Sequence, residues 1–400
     1  MSAVDLSSAK VVSLYESILD TDEQTLTRIL ADTGTEVVFR AYFQVAGPGG
    51  TNTHDPIVLR DTIEYVRARL PWVHLMGGVD AYGYCGWSLP ANGSEFLYVV
   101  GNGHMPKEAP NCWDLDIAKP AARKIVLDMA YTQIDAGFDS LFFDCLDCLA
   151  GTFNLNVNPY MEAWRQIASA VKDYAQTEYG REIQVCVNTA WDARIWPYQD
   201  FISLGLTGTG AEMIKNQKLQ IDWGTIKRNI KNVYGRLLPI MFFLDWGSYE
   251  ESPMVALANL PREDQVKVIA LLHDTALREG LLFVYPLHGG DIMTYAQIEQ
   301  GQPWRVYDAI EQGTYDAMKQ LTSTISTVHT MTVTATSTDT LTATVTANRT
   351  VTAPAPPLVE NPVLIPAVVL GIAIVLAAII LRRRNSSSQK RECGSEPSSG

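Results

Sequence analysis

Acidic and aromatic side chains gather where short apolar runs of this sequence end. Reading those ends in order gives Arg40, Tyr42 and Gln44 along the first run, Asp80 and Tyr82 after the second, Asn102 and His104 after the third, and Asp144 and Asp147 after the fourth. Asn188 and Trp191 follow the fifth run, Glu212 the sixth, Asp245 and Trp246 the seventh, and Tyr285 and His288 the eighth. Carboxylates on opposite sides of a pocket suit glycosidic bond cleavage, in which one protonates the leaving oxygen and the other stabilises or captures the cationic sugar. Asp144 is the leading catalytic candidate; its structural alternative is a helix cap or an ion pair with Arg40. Glu212, in the flexible stretch 206–212, and Asp245, at a strand end, are the candidates for the opposing acid. Arg40, Tyr42, Tyr82, Asn188, Trp191, Trp246 and His288 are the candidate ligand-binding residues. Of nine Trp, at least five (Trp87, Trp113, Trp191, Trp196, Trp246) follow apolar runs. Taken singly each is better explained by packing, but together they favour a carbohydrate groove.

These residues are far apart in sequence, so a fold has to gather them. Short, nearly continuous apolar runs alternate with amphipathic segments, the pattern of strands buried on both faces by crossover helices. Eight runs stand out, at 36–45, 73–79, 95–101, 138–144, 182–188, 201–206, 239–245 and 281–287. Helix starts are marked at Asp55-Pro56 and Lys119-Pro120, since proline at a first helical position needs no amide donor. The pattern predicts an α/β protein, a (β/α)8 TIM-type barrel whose strand ends converge on one face. It departs from regularity after the second run, where 81–94 is rich in Gly and aromatics and a loop is expected. A helical region is expected before Glu36.

Two segments carry a family resemblance: Trp113-Asp-Leu-Asp-Ile-Ala-Lys-Pro, and Ala136-Gly-Phe-Asp-Ser-Leu-Phe-Phe-Asp-Cys-Leu-Asp. The arrangement resembles glycoside-hydrolase-type barrels related to the polygalactosaminidase family. There an aspartate-proline helix start is followed by Gly-Phe-Asp-Gly, an apolar strand, and an aspartate at its end. The resemblance covers chiefly 113–147 and implies that Asp144 is the fourth-strand carboxylate of a carbohydrate site; it fixes no partner for it. With the C-terminal features below, the chain is also similar to membrane-anchored surface proteins of hyperthermophilic archaea.

Composition narrows the function classes. With 47% hydrophobic and 19% charged residues, the chain buries a large core. Its net charge of −13 repels phosphate backbones, so nucleic acid is not an expected partner. No nucleotide-binding glycine loop or serine-hydrolase elbow stands in a strand-to-helix context. Cys145-Leu-Asp-Cys148 has metal-ligand spacing without a second pair, so no metal or other cofactor is expected. Outside the cell a disulfide among Cys85, Cys112, Cys145, Cys148 and Cys186 is plausible, though Cys186, inside an apolar run, suits a buried free thiol.

The C-terminal part divides differently. Residues 1–320 form the expected barrel domain, 321–361 a Thr/Ser/Pro-rich stalk, 362–381 a membrane span, and 382–400 a short basic tail. The stretch 322–352 holds fourteen Thr and three Ser, which cannot build a core. Extended at roughly 3 Å per residue, the stalk reaches on the order of 100 Å. The nineteen uncharged residues 363–381 span roughly 28 Å as a helix and end at Arg382-Arg383-Arg384. The positive-inside rule keeps those arginines cytoplasmic and the barrel outside. Sequons at Asn92 and Asn348 agree with that address. No signal peptide is visible in 1–12. An upstream start, another export route, or a tail-anchored cytoplasmic protein are the alternatives.

Overall fold

Four consecutive buried residues, Val12–Tyr15 (β1), open the fold. They pair in parallel with β2 (Val37–Ala46) on one side and with β11 (Leu282–Asp291) on the other. The structure is a computed structural model. It describes residues 6–48, 55–86, 90–100, 103–104, 112–146, 150, 155–190, 194–206, 210–246, 252–294, 297 and 300–325. The chain divides into two units, Met1–Thr332 and Val333–Gly400, and all described residues belong to the first.

From β1 the sheet runs through β2, β3 (His74–Cys85), β7 (Ser140–Asp144), β8 (Gln184–Ala190), β9 (Ile202–Leu206) and β10 (Ile240–Leu244) to β11, which returns to β1. All these pairings are parallel, and the result is a closed eight-stranded barrel of the (β/α)8 type. Helices α1 (Glu23–Asp32), α2 (Pro56–Arg69), α3 (Pro120–Ala136), α4 (Asn158–Tyr179), α5 (Gly210–Lys215), α6 (Trp223–Tyr234), α7 (Pro253–Ala258) and α8 (Arg262–Glu279) fill the connections. The two expected proline starts are in place. Asp55 caps α2 by accepting from the Ile57 amide at 2.8 Å, and Pro120 opens α3.

Two sequence expectations need correction, and they offset each other in the strand count. The region before Glu36 was expected to be helical, yet it holds the first barrel strand as well as α1. Four residues buried on both faces, one of them Ser13, have no period that separates a strand from a helical turn. Conversely, 95–101 is not a barrel strand. Gly93–Glu95 is a short 3-10 turn, and β4 (Val99–Val100) pairs antiparallel with β5 (Gly103–His104) in a separate sheet. Its apolar character serves packing instead, with Phe96 and Leu97 buried in the core.

The expected irregularity after the second run is an extension of β3. That strand continues to Cys85 and pairs antiparallel with β6 (Cys112–Asp114), and a Cys85–Cys112 disulfide ties the two together. Cys145 is also disulfide-bonded, while Cys186 is a buried free thiol. At the other end of the barrel sequence, β12 (Val306–Asp308) adds antiparallel to β11.

Aromatic rings plug the barrel interior. Phe39 lies 4.9 Å from Phe142 and 5.2 Å from Phe243 between ring centroids, so the cylinder is a packed core and ligands can reach only its ends. No helix among the described residues is long and apolar enough to cross a membrane. The expected span and tail lie outside the described residues, as does the stalk beyond 325. Residues 315–325 are helical, with Thr322 and Ile325 buried.

Candidate functional site

A bulge in β2 creates the site. Val37 and Val38 pair with His74 and Leu75, but the ladder resumes only at Tyr42 with Gly77, so β2 carries two extra residues between the pairs. Within this bulge Arg40 takes φ 53°, a left-handed conformation uncommon for a residue with a side chain. Arg40 is 4% exposed, and its guanidinium lies 3.5 Å from the Phe43 ring centroid and 4.4 Å from that of Trp246. Gly78 makes the room. A Cβ there would stand 2.6 Å from Phe43 Cδ2 and 3.4 Å from Arg40 Cγ.

Arg40 joins two carboxylates from opposite sides. Its Nη2 donates to Glu16 Oε1 at 2.6 Å and its Nη1 to Asp144 Oδ2 at 3.1 Å. The second oxygen of Asp144 accepts from Asn188 Nδ2 at 2.8 Å. The second oxygen of Glu16 accepts from the Gly290 amide at 3.0 Å. Gly290 sits at φ 81°, a conformation glycine adopts without strain. The ends of β1, β2, β7, β8 and β11 are thereby linked through one buried cation.

Asp80 stands beside this network. The parallel register from Met76↔Ser140 runs to Asp80↔Asp144, which sets the two residues about 4.8 Å apart across neighbouring strands. Side chains two apart on a strand share a face. Gly78 faces Arg40 and Phe43, and Phe142 lies among the interior rings, so Asp80 and Asp144 both project into the barrel mouth. Asp80 Oδ1 accepts from the amides of Tyr82 at 2.8 Å and Gly83 at 3.0 Å, a local turn that fixes the carboxyl. Burial pushes its pKa up to about 6, and the Asp144 charge acts in the same direction. The two amide bonds and Arg40 offset part of this.

Across the mouth, Asn188 Oδ1 and Asp245 Cγ each lie 3.3 Å from where a Cβ on Gly205 would stand. The missing side chain at Gly205 therefore lets Asp245 approach the Asn188–Asp144 pair. His288 closes the ring, with Nδ1 at 3.0 Å from Asp308 Oδ2 and its imidazole tilted over Tyr15 at 5.1 Å.

Of the residues singled out from sequence, the mouth gathers Arg40, Asp144, Asn188, Asp245 and Trp246, with His288 at its edge. Glu212 is placed differently: it stands on the first turn of α5, exposed and paired with Lys215 at 2.9 Å. Tyr42 is 2% exposed and stacks on Phe138. Tyr82 is buried, and its amide holds Asp80. Trp191 and Asp147 lie outside the described residues.

Two residues of the mouth escape the candidate set. Asp80 is the carboxylate next to Asp144, and the available signal is that two parallel strands, Gly77-Gly-Val-Asp80 and Leu141-Phe-Phe-Asp144, both end in aspartate at the same register. Glu16 escapes because β1 does. Its signal is the run Val11-Val-Ser-Leu-Tyr15 ending in an acid. No group of three or more potential metal ligands is assembled among the described residues. The chemistry on offer is a carboxylate held as an acceptor by Arg40 and Asn188, beside a carboxyl that keeps its proton to about pH 6.

No protein-family model matches the chain, and no curated protein matches it. Among solved structures it is similar to the glycoside hydrolase domain of PelA from Pseudomonas aeruginosa, at 14% identity and a TM-score of 0.40, covering 70% of this chain and 94% of that one. It is also similar to Ega3 from Aspergillus fumigatus in complex with galactosamine, at 14% identity and a TM-score of 0.36, covering 60% of this chain and 78% of that one. A third is the maltogenic α-amylase AmyB from Thermotoga neapolitana, at 12% identity and a TM-score of 0.49, covering 79% of this chain and 76% of that one. These neighbours are glycoside hydrolases. At such distances the likeness concerns the fold alone and transfers neither residue roles nor substrates.

Proposed function

We propose that the barrel is a glycoside hydrolase in which Asp80 and Asp144 are the working pair. The observation that carries this reading is their contrast: equal register on adjacent strands, one carboxyl raised to about 6, the other held by a guanidinium and an amide. A carboxyl that holds its proton, beside a carboxylate held by a cation and an amide, suits a division into acid and nucleophile. Asp80 donates its proton to the leaving oxygen as the glycosidic bond breaks, and Asp144 adds to the anomeric carbon. Asp80, now ionised, then takes a proton from the water that releases the sugar. Strand spacing favours the short carboxyl separation, about 5 to 5.5 Å, of a retaining enzyme. Asp245 faces the pair across Gly205 and Trp246 offers an aromatic wall; His288 and Asn188 complete the polar rim.

A second reading has its own support. Both Asp144 oxygens are already engaged, by Arg40 and Asn188, which suits a barrel that binds glycans without cleaving them. Release of reducing sugar from a glycan panel by the full chain, beside Asp80→Asn and Asp144→Asn, separates the two. Turnover lost in both variants supports the hydrolase; binding without turnover in all three selects the binding barrel.

We also propose that the barrel stands outside the cell on its Thr-rich stalk. The disulfides at Cys85–Cys112 and Cys145 agree with an oxidising exterior. Protease added to intact cells cleaves the barrel in this topology and spares it in a tail-anchored one.

A further inference from the structure

Glu16 touches no position where a substrate bond would break, yet it holds the residue that holds Asp144. Its Oε1 takes Arg40 Nη2 at 2.6 Å, shorter than the 3.1 Å from Arg40 Nη1 to Asp144. Its Oε2 is fixed by the Gly290 amide at 3.0 Å, and its own amide donates to the His288 carbonyl at 2.8 Å. Side-chain exposures of 18% for Glu16 and 5% for Arg40 leave the pair largely out of water, where charge is weakly screened. The left-handed backbone of Arg40 is a strained conformation that persists only where its surroundings hold it. Glu16 makes the shorter of the two ion pairs to Arg40.

We propose that Glu16 is a positioning residue that acts through Arg40 to divide the roles of Asp80 and Asp144; the inference deepens the hydrolase reading and rests on it. Burial and the Asp144 charge keep the proton on Asp80, and Arg40 opposes them. The negative charge of Glu16, ion-paired to Arg40, superposes on that of the guanidinium and weakens its pull on the Asp80 proton, while Arg40 still holds Asp144.

The charged groups acting on Asp80 are Asp144 from β7 and Arg40 from the β2 bulge, with Glu16 behind Arg40 just after β1; Asp114 on β6 stands in register with Gly83. Asp245 lies farther across the mouth, on the far side of Asn188. Of these, only Arg40 favours loss of the Asp80 proton; the remainder are carboxylates that oppose it.

The test reads the Asp80 carboxyl itself, by carbon-detected NMR titration of the full chain with ¹³C-labelled aspartate, the resonance assigned with Asp80→Asn. The wild type titrates near pH 6. Glu16→Gln keeps the size of the side chain and an oxygen for the Gly290 amide but removes the charge, and its Asp80 midpoint falls by about one pH unit. Glu16→Asp keeps the charge but withdraws it by one methylene, and its midpoint falls by less. An unmoved midpoint in a folded Glu16→Gln protein overturns the proposal; if that variant does not fold, an unmoved midpoint in Glu16→Asp does so. The hydrolase reading fails separately, through a wild-type Asp80 that titrates in the ordinary carboxylate range, whatever Glu16 does. A merely structural Glu16 would lower stability in both variants without moving the titration.

Discussion

Strands β3 and β7 run side by side through the barrel and carry polar groups at both ends, yet the two ends do opposite work. At the floor, His74 Nε2 meets Ser140 Oγ at 2.7 Å with both residues fully buried. Beside them Asp139 accepts from the Leu75 amide at 2.9 Å and from Arg67 at 2.6 Å. At the mouth, six residues along β3 from His74 and four along β7 from Ser140, Asp80 and Asp144 stand with Arg40 and are only partly buried. A histidine, a serine, an aspartate and an arginine are all present at the floor, the ingredients of hydrolytic chemistry, but the His74–Ser140 pair at their centre is fully buried while Asp139 and Arg67 are partly exposed. Burial pushes the His74 pKa down to about 4, with Arg67 adding to this and Asp139 opposing it. That imidazole is a neutral structural group. The floor contacts tie β3, β7 and α2 together, in keeping with the division of such barrels into a stabilising floor and a functional mouth.

The comparison is broken most forcefully at Asp80. Asp80→Asn should cut hydrolysis by at least ~100-fold, the usual contribution of a general acid, while making the fold more stable. The sign follows from the raised pKa: the stabilising, protonated form is fully present below about pH 4 and is lost as pH rises through about 6. Above pH 6 the ionised carboxyl therefore costs up to about 3 kcal/mol, which the neutral amide relieves. Chemical denaturation at pH 7.5 beside a rate assay measures both. A variant both less active and less stable would place Asp80 with the floor.

His74 makes the opposite prediction for pH. Its folded pKa is depressed, so the stability it contributes is present above about 6.5 and is lost as pH falls through about 4. Over that interval the loss amounts to about 3 kcal/mol. Denaturant titrations from pH 7 to 4 should show that slope in the wild type and a flatter one in His74→Gln, with the rate at pH 6 unchanged.

A smaller effect sharpens the same contrast. Asp139→Ala leaves the Leu75 amide without its acceptor and Arg67 with the Gly137 carbonyl but no ion pair, and should lower stability by about 2 kcal/mol, again with kcat unaltered. Loss of kcat beyond the unfolded fraction would show that floor and mouth are coupled along β3 and β7.

How much of this the sequence discloses follows from the physics of each element. Long apolar runs such as 138–144 and 239–245 announce themselves because parallel strands are buried on both faces, and the barrel follows from their alternation with helices. Asp144 and Asp245 are legible because they end such runs. The four-residue β1 is not, since it is too short to show a period, and Glu16 is lost with it. The bulge that turns Arg40 inward leaves no mark in the residue pattern, because it depends on register with β3. Asp80 is visible as a strand-end acid, but its raised pKa belongs to the three-dimensional meeting of two strands whose aspartates are 64 positions apart. Glu212 shows the converse: an acid that follows a strand in sequence, which the fold sets on the first turn of α5 in solvent beside Lys215.

The most direct trial is the pH dependence of kcat/KM for the best glycan substrate. With Asp80 as the proton donor, the rate should fall tenfold per unit above about pH 6, and that limb should be absent from the residual activity of Asp80→Asn. A rate that stays flat from pH 5 to 8, or a limb unmoved when Asp80 is replaced, would contradict the assignment of the mouth's acid.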